Sequence, residues 1–174
     1  KIEAGRMEMH PTTFNVGTLA QDVIQGLQPL AHKRGNALLM EIDPLIQTMY
    51  SDELRVRQIL YNLLHNACKF TENGDVVLTI ARDLNPDQDG RDGHPDRIAF
   101  AVSDNGIGMT AEQVAGLFQD FTQADATTTR KYGGTGLGLA LSRRLSLMLG
   151  GDIRLSSHPG IGSTFVVTLP ETLA

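Results

Sequence analysis

Apolar residues between Asp52 and Thr71 (DELRVRQILYNLLHNACKFT) recur at the spacing of one helix face. At about 100° per residue, Val56, Ile59, Leu60, Leu63, Leu64, Ala67 and Phe70 fall on one broad apolar side. Arg55, Gln58, Asn62, Asn66 and Lys69 gather opposite. Asp52 can cap the start, and no Gly or Pro interrupts the run. The polar side carries two amides one turn apart and then a lysine, where a solvated helix more often carries Glu/Lys pairs. Asn is a mediocre helix former, so this spacing points to a task. The plainer alternative is a buried helix with a polar rim.

The same periodicities order the rest of the chain. Lys1 to Met9 reads as the tail of a helix that ends before Pro11, because a residue preceding proline disfavours helical geometry. Thr12 to Val16 is a short extended entry. Leu19, Val23, Ile24, Leu27, Leu30 and Ala31 then follow helical spacing toward Arg34, with Gly35 as C-cap. Ala37 to Ile42 is a strand. Asp75 to Arg82 and Arg97 to Ser103 are β-rich runs joined by NPDQDGRDGHP, an exposed hairpin loop of turn residues. His94 in that loop has no second metal ligand near it in spacing and reads as surface.

Thr110 to Phe118 predicts a short helix with Thr110 and Gln113 in capping-box positions. Thr122 to Thr135 is small, polar and aperiodic, a loop. Gly136 to Leu149 predicts a helix with Leu137, Leu141, Leu145 and Met148 inward. Asp152 to Ser156 and Thr164 to Leu169 alternate as a final strand pair about the Pro159-Gly160 turn. The expected fold is an α+β layer structure, helices against a largely antiparallel sheet.

Composition narrows the classes. A chain of 174 residues suffices for one domain with a core, or one domain plus an appendage. The net charge of −5 argues against a non-specific nucleic-acid binder, and the absence of Trp leaves little stacking surface for single strands. The single Cys68 allows no internal disulfide, so a reducing compartment is expected, and it reads as a small partly buried filler. No apolar run approaches a membrane span and no signal peptide is visible. KIEAGRMEMH begins without an initiator Met, and we expect the chain to be a piece of a longer protein.

Three glycine-bearing stretches carry candidate chemistry. Ser103-Asp104-Asn105-Gly106-Ile107-Gly108-Met109 directly follows a strand, and its glycines let backbone fold tightly beside a carboxylate able to accept from an exocyclic amine such as that of adenine. By itself DNG is also an ordinary turn. Lys131-Tyr132-Gly133-Gly134-Thr135-Gly136-Leu137-Gly138-Leu139 offers backbone N–H groups and a helix N-terminus to an anion. It is neither the Walker pattern nor the dinucleotide fingerprint. Arg130 and Lys131 stand where they can reach a terminal phosphate. Gly160-Ile161-Gly162-Ser163-Thr164-Phe165 turns into the last strand and, alone, is a hairpin turn.

In this order, these stretches resemble the catalytic, ATP-binding domain of two-component sensor histidine kinases. NLLHNACKF is similar to the family's asparagine box, DNGIG to its first glycine box and LFQDFTQAD to its phenylalanine box. GGTGLGL resembles the second glycine box and GIGSTF the third. The likeness covers roughly residues 12–170. TQADATTTRKYGGTGLGLALS is similar to hybrid kinases that carry their own receiver domain.

The resemblance implies a Bergerat-type ATP-binding fold: an α+β two-layer sandwich whose mixed, largely antiparallel sheet carries helices on one face. It implies that residues 1–10 end a dimerisation/phosphoacceptor helix and that residues 11–174 form the catalytic domain, with a lid at about 119–135. Asp104 would bind the adenine amine, in a pocket shaped by Gly106, Ile107, Gly108 and Met109, with Phe70 beside it. Asn66, with Asn62, would hold Mg²⁺ on the triphosphate, and Lys69 would offset phosphate charge. Lys131, Tyr132, Gly133, Gly134, Thr135, Gly136, Leu137, Gly138 and Leu139 would line the phosphates, and Arg130 and Lys131 would assist transfer. Thr164 would contact the adenine edge. Phe118 and Phe121 would anchor the lid toward the dimerisation helices. Asp120 departs from the proline frequent there.

The cofactors implied are ATP and Mg²⁺. The partners are the dimerisation helices of the same protein, in a homodimeric parent, and indirectly a receiver domain, with no nucleic acid. The location expected is cytoplasmic, with a parent anchored in the inner membrane. The nucleophile would be a histidine outside this chain: His10, His32, His65, His94 and His158 lack the expected His-Glu/Asp followed by Arg and Pro. Three alternatives share the fold. Hydrolytic relatives of the gyrase, mismatch-repair and heat-shock type place a Glu base one turn before the metal-binding Asn, where this chain has Asn62; an amide cannot take a proton from water near neutral pH. An anti-sigma-type serine kinase fits the second glycine box less well. A degenerate partner-binding domain would usually have lost box residues, and all are intact here.

Overall fold

The computed structural model describes residues 8–82, 96–117 and 137–173. Among these lie seven strands and four helices: β1 (Thr12–Asn15), α1 (Val16–Lys33), β2 (Ala37–Ile42), β3 (Thr48–Ser51), α2 (Glu53–Lys69), β4 (Asp75–Arg82), β5 (Arg97–Asp104), α3 (Ala111–Gly116), α4 (Leu137–Met148), β6 (Asp152–His158) and β7 (Gly162–Pro170). The connector after β4, the predicted lid with Phe118, Phe121 and Asp120, and Arg130 through Gly136 lie outside the described residues, as do residues 1–7.

The main sheet has the order β2-β4-β5-β7-β6. β2 runs parallel to β4 and every other neighbour is antiparallel. Alternation decides its faces. Leu78 pairs with Val102, Ile80 with Phe100 and Val102 with Phe165, and all five side chains are buried. They meet the helices, which lie on that one side. The other face carries Val77, Thr79, Ala99, Ala101, Val166 and Thr168, small side chains that are half-buried and that no helix among the described residues covers.

α2 is the central helix. Asp52 caps it, its carboxylate accepting the Arg55 N–H at 3.2 Å while its other oxygen accepts the His10 N–H at 3.0 Å. Val56, Ile59, Leu60, Leu63, Leu64 and Ala67 are buried as the periodicity predicts. The helix closes at Lys69 with Phe70 as C-cap, two residues short of the expected Thr71, and Phe70 is half-buried. Cys68 is fully buried, deeper than the partly buried filler expected.

α1 starts at Val16, three residues earlier than the apolar spacing from Leu19 suggests, because the Asn15 side chain accepts the Thr18 N–H at 2.8 Å. It also runs through Pro29. Proline deletes one bond to the carbonyl four residues back. Here both Pro29 and Gln25 are exposed, so that carbonyl faces water. The four-residue β3 is missing from the expectation, since TMYS offers only two turns of alternation; it pairs with β1 to make a separate two-stranded ribbon. The capping box of α3 forms as predicted, with Gln113 N–H to Thr110 Oγ1 at 3.2 Å and Thr110 N–H to Gln113 Oε1 at 2.8 Å.

α4 corrects one expectation. Its inward row is Leu139, Ser142, Leu145, Ser146 and Leu149, all buried, while Leu141 and Met148 are only half-buried and the Leu137 side chain lies outside the described residues. Two serines on the inner face let α4 approach α2 closely. Their hydroxyls turn back on their own helix, Ser142 Oγ to the Gly138 carbonyl and Ser146 Oγ to the Ser142 carbonyl, both at 2.7 Å. No helix among the described residues is long and apolar enough to cross a membrane.

Phe100 is fully buried where β5 meets both β4 and β7. Phe100→Ala should therefore cost about 3–5 kcal/mol of unfolding free energy, read as a lowered urea midpoint. A loss below about 1 kcal/mol would be that of a poorly packed site.

Candidate functional site

β5 ends at Asp104, in register with Val76 of β4 and Ser163 of β7. Strand alternation turns Asp104 to the helix side, toward the end of α2. One carboxylate oxygen accepts the Gly106 N–H at 2.9 Å. Burial pushes the Asp104 carboxyl above its ordinary range, while the Gly106 and Ser163 N–H groups and the Thr71 hydroxyl pull it back. The group is thus a half-buried acceptor on the helix side of the sheet, held by the loop that follows it.

The loop after Asp104 is fastened on three sides. The Ile107 N–H donates to the Phe70 carbonyl at 3.3 Å, Gly160 N–H to the Ile107 carbonyl at 2.7 Å, and Met109 N–H to Ser157 Oγ at 2.8 Å. Asn105 returns to β4, its Oδ1 accepting the Asp75 N–H at 2.8 Å. Glycine is required twice. A side chain on Gly106 would run into the Phe70 carbonyl oxygen, and one on Gly108, at φ 68°, would meet the His158 carbonyl. Ile107 remains exposed and Met109 packs against the core.

The end of α2 is equally fixed. Asn36 Nδ2 donates to the Cys68 and Thr71 carbonyls at 3.0 and 2.8 Å, and its Oδ1 accepts the Gly74 N–H at 3.1 Å. Arg34 Nε adds a bond to the Thr71 carbonyl at 3.3 Å. These donors satisfy carbonyls that a helix C-terminus leaves open. Burial, and then the Asp104 charge, pushes the Cys68 thiol up to about 11.

The amide row runs along α2 from this point. Asn66 and Lys69 are half-buried. His65 stacks on Tyr61 with ring centroids 5.6 Å apart, and burial together with the Lys69 charge lowers its pKa. Asn62 faces the first turn of α4: its Nδ2 lies 3.2 Å from Ser142 Oγ and 3.4 Å from the Gly138 carbonyl. Asn62 and Gly138 are thereby brought together. Leu139, expected among the phosphate-lining residues, buries its side chain in the core, so only its backbone remains for a ligand.

Thr164 does not join Asp104. It is in register with Ser103, and the two hydroxyls meet at 2.9 Å on the sheet face away from the helices. Period-two alternation is the reason: the residue on Asp104's side is Ser163, 8% exposed, its hydroxyl 2.7 Å from Ser157 Oγ. That position was legible, since Phe165 must point inward and Ser163 shares its face. Thr71 and Asn36 were missed as well. Thr71 stood inside the expected helix, and a lone Asn before a strand gives no local signal. Arg130, Lys131, Tyr132, Gly133, Gly134, Thr135 and Gly136 lie outside the described residues.

Among the described residues no three His, Cys, Asp or Glu side chains are grouped to hold a metal ion.

Residues 51–173 match the family model described as histidine kinase-, DNA gyrase B-, and HSP90-like ATPase. The chain belongs to that ATPase family. It is 41% identical to the sensor protein GacS of Pseudomonas syringae over 97% of its length, and 41% identical to the circadian input-output histidine kinase CikA of Synechococcus elongatus over 98%. It spans only 18% and 22% of those proteins. Its fold is that of a solved full-length ShkA in complex with AMPPNP (TM-score 0.77, 32% identity, 94% of this chain and 32% of that one). The catalytic domain of the histidine kinase ThkA matches too (TM-score 0.74, 26% identity, 95% of this chain and 97% of that one). The chain is therefore an ATPase domain of the histidine-kinase branch, with the Bergerat-type layer fold that the resemblance implied.

Two outcomes follow from the electrostatics. Because the folded chain holds the Asp104 proton more readily than the unfolded chain, ionised Asp104 subtracts stability; the penalty starts above the unfolded carboxyl pKa and is complete above the raised folded one. Asp104→Asn should melt higher than the parent at neutral pH, with the gap closing toward about pH 4; an unchanged or lower melting temperature at neutral pH contradicts this. Cys68, with its thiol near 11 and buried, should alkylate with iodoacetamide at least about a hundredfold more slowly than a free cysteine until denaturant is added.

Proposed function

We propose that this chain binds Mg·ATP and passes the γ-phosphoryl group to a histidine on a dimerisation domain, as one step of two-component signalling. Residues 11–174 act as the catalytic domain and residues 1–10 lead in from the phosphoacceptor helix, although Glu8, Met9 and His10, expected to end that helix, are not helical. The observation that carries this reading is the half-buried Asp104 carboxylate set at one end of α2, with the amide row of the same helix extending away from it. Eight residues separate Phe70 from Asn62, roughly 12 Å of helix axis, which suits a purine at one end and phosphates at the other.

In this reading Asp104 accepts the exocyclic amine of adenine, and Gly106 and Gly108 keep the backbone close to the ring. Asn66 offers an amide oxygen to Mg²⁺ on the triphosphate, and Lys69 offsets phosphate charge. Asn62 has its amide nitrogen toward α4, so its Oδ1 is the atom left for the cation. Arg130, Lys131 and the glycines from Gly133 to Gly138 serve the phosphates. The chain's contribution is positioning and charge stabilisation, since the nucleophile comes from elsewhere. A relative named hybrid signal transduction histidine kinase B, from Dictyostelium discoideum and 37% identical over 98% of this chain, supports a receiver domain in the parent, and this reading adds a homodimeric parent and a cytoplasmic location for this part.

A hydrolase of the same fold is disfavoured by Asn62. An amide directed at the Ser142 hydroxyl and the Gly138 carbonyl is no base for water. Mixing the chain with a separately prepared dimerisation domain and γ-labelled Mg·ATP should put acid-labile phosphate on histidine. Asn66→Ala and Asp104→Asn should each lower the rate at least about a hundredfold. The isolated chain should stay unlabelled. Free phosphate without labelled histidine would favour the hydrolytic alternative.

A further inference from the structure

Thr71 is fully buried, and its hydroxyl has no hydrogen-bond partner among the described residues. An orphaned hydroxyl in a dry site costs about 1–3 kcal/mol, so such a group in a folded protein calls for a reason. Its orientation is imposed by packing. The backbone carbonyl is held by Asn36 and Arg34, and the methyl is directed at Gly74, where an added Cβ would lie 2.8 Å from Cγ2. That turns the hydroxyl toward the loop after β5. A Cβ placed on Gly106 would lie 2.8 Å from Thr71 Oγ1 and 3.0 Å from Asp104 Oδ1, so both oxygens converge on one point beside the glycine. Thr71 is close enough to favour the charged Asp104 carboxylate without meeting the geometry of a formed hydrogen bond.

We propose that Thr71 is a positioning residue for base recognition: when a nucleotide enters, its hydroxyl donates to the Asp104 carboxylate and holds one oxygen, so that the other faces the exocyclic amine. The inference rests on the ATP-binding reading and names the group that sets its base selectivity. Asp104 has a fixed N–H donor in Gly106 on the loop side, and the Ser163 N–H on the strand side also favours its charged form. Thr71 supplies the donor from the α2 side, the direction those two leave open. A threonine suits the place because its methyl fixes χ1 and its hydroxyl still rotates its proton.

The test is calorimetric titration of the full chain with Mg·ADP and with Mg·IDP, whose hypoxanthine ring lacks the exocyclic amine. The parent, Thr71→Val and Thr71→Ser are compared. A donor lost from a charged acceptor should weaken ADP by roughly tenfold or more in Thr71→Val, while IDP changes little. Thr71→Ser, which keeps the hydroxyl, should retain the parent's ADP-to-IDP ratio within about twofold. An unchanged ratio in Thr71→Val, or an equal loss of both nucleotides, would overturn the proposal. If the valine variant does not fold, Thr71→Ala is read by the same ratio. A parent chain that binds neither nucleotide would instead defeat the ATP-binding reading itself.

Discussion

The arrangement depends on one splice, the bond from the Ile107 N–H to the Phe70 carbonyl where the loop after β5 crosses the end of α2. A helix C-terminus has open carbonyls, and a loop leaving a strand has open N–H groups. Joining them satisfies both and fixes the distance between an acid on a strand and an amide row on a helix. Gly106 allows the approach, because any side chain there would occupy the space of that carbonyl. Asn36, reaching in from the start of β2, closes the Cys68 and Thr71 carbonyls with its amide nitrogen and accepts the Gly74 N–H with its oxygen. The pocket wall is therefore tied to the sheet's edge strand pair as well as to its centre.

A second constraint acts nearer the middle of α2. Ser142 and Ser146 leave room for α4 to lie against it, and Asn62 fills the contact with polar bonds to the first turn of α4. This couples Gly138, at the start of α4, to the helix bearing Asn66 and Lys69. The contact needs an amide, since a carboxylate at position 62 could not donate to the Gly138 carbonyl.

Most of the fold was legible because its elements are long and strongly periodic. The buried face of α2, the paired β4 and β5 and the capping box of α3 each follow from spacing or a local signature. The misses have physical causes. β3 is too short to show a period, α1 starts where a cap and not an apolar residue dictates, and the inner face of α4 uses serines, which a hydrophobic count overlooks. In the site, Asp104, Gly106 and Gly108 were identifiable because their chemistry is local. Ser163, Thr71 and Asn36 act through contacts between residues far apart in sequence, and Thr164, expected at the adenine edge, takes the sheet face opposite Asp104.

The central claim is that the end of α2 and the end of β5 form one nucleotide pocket. Backbone amide chemical-shift mapping on addition of Mg·ADP tests it directly. Shifts should concentrate at Phe70 and Thr71, from Asp104 to Met109, and at Ser163, with the β1–β3 ribbon unmoved. Shifts confined to that ribbon or to the sheet face away from the helices, with the Asp104 loop silent, would contradict it.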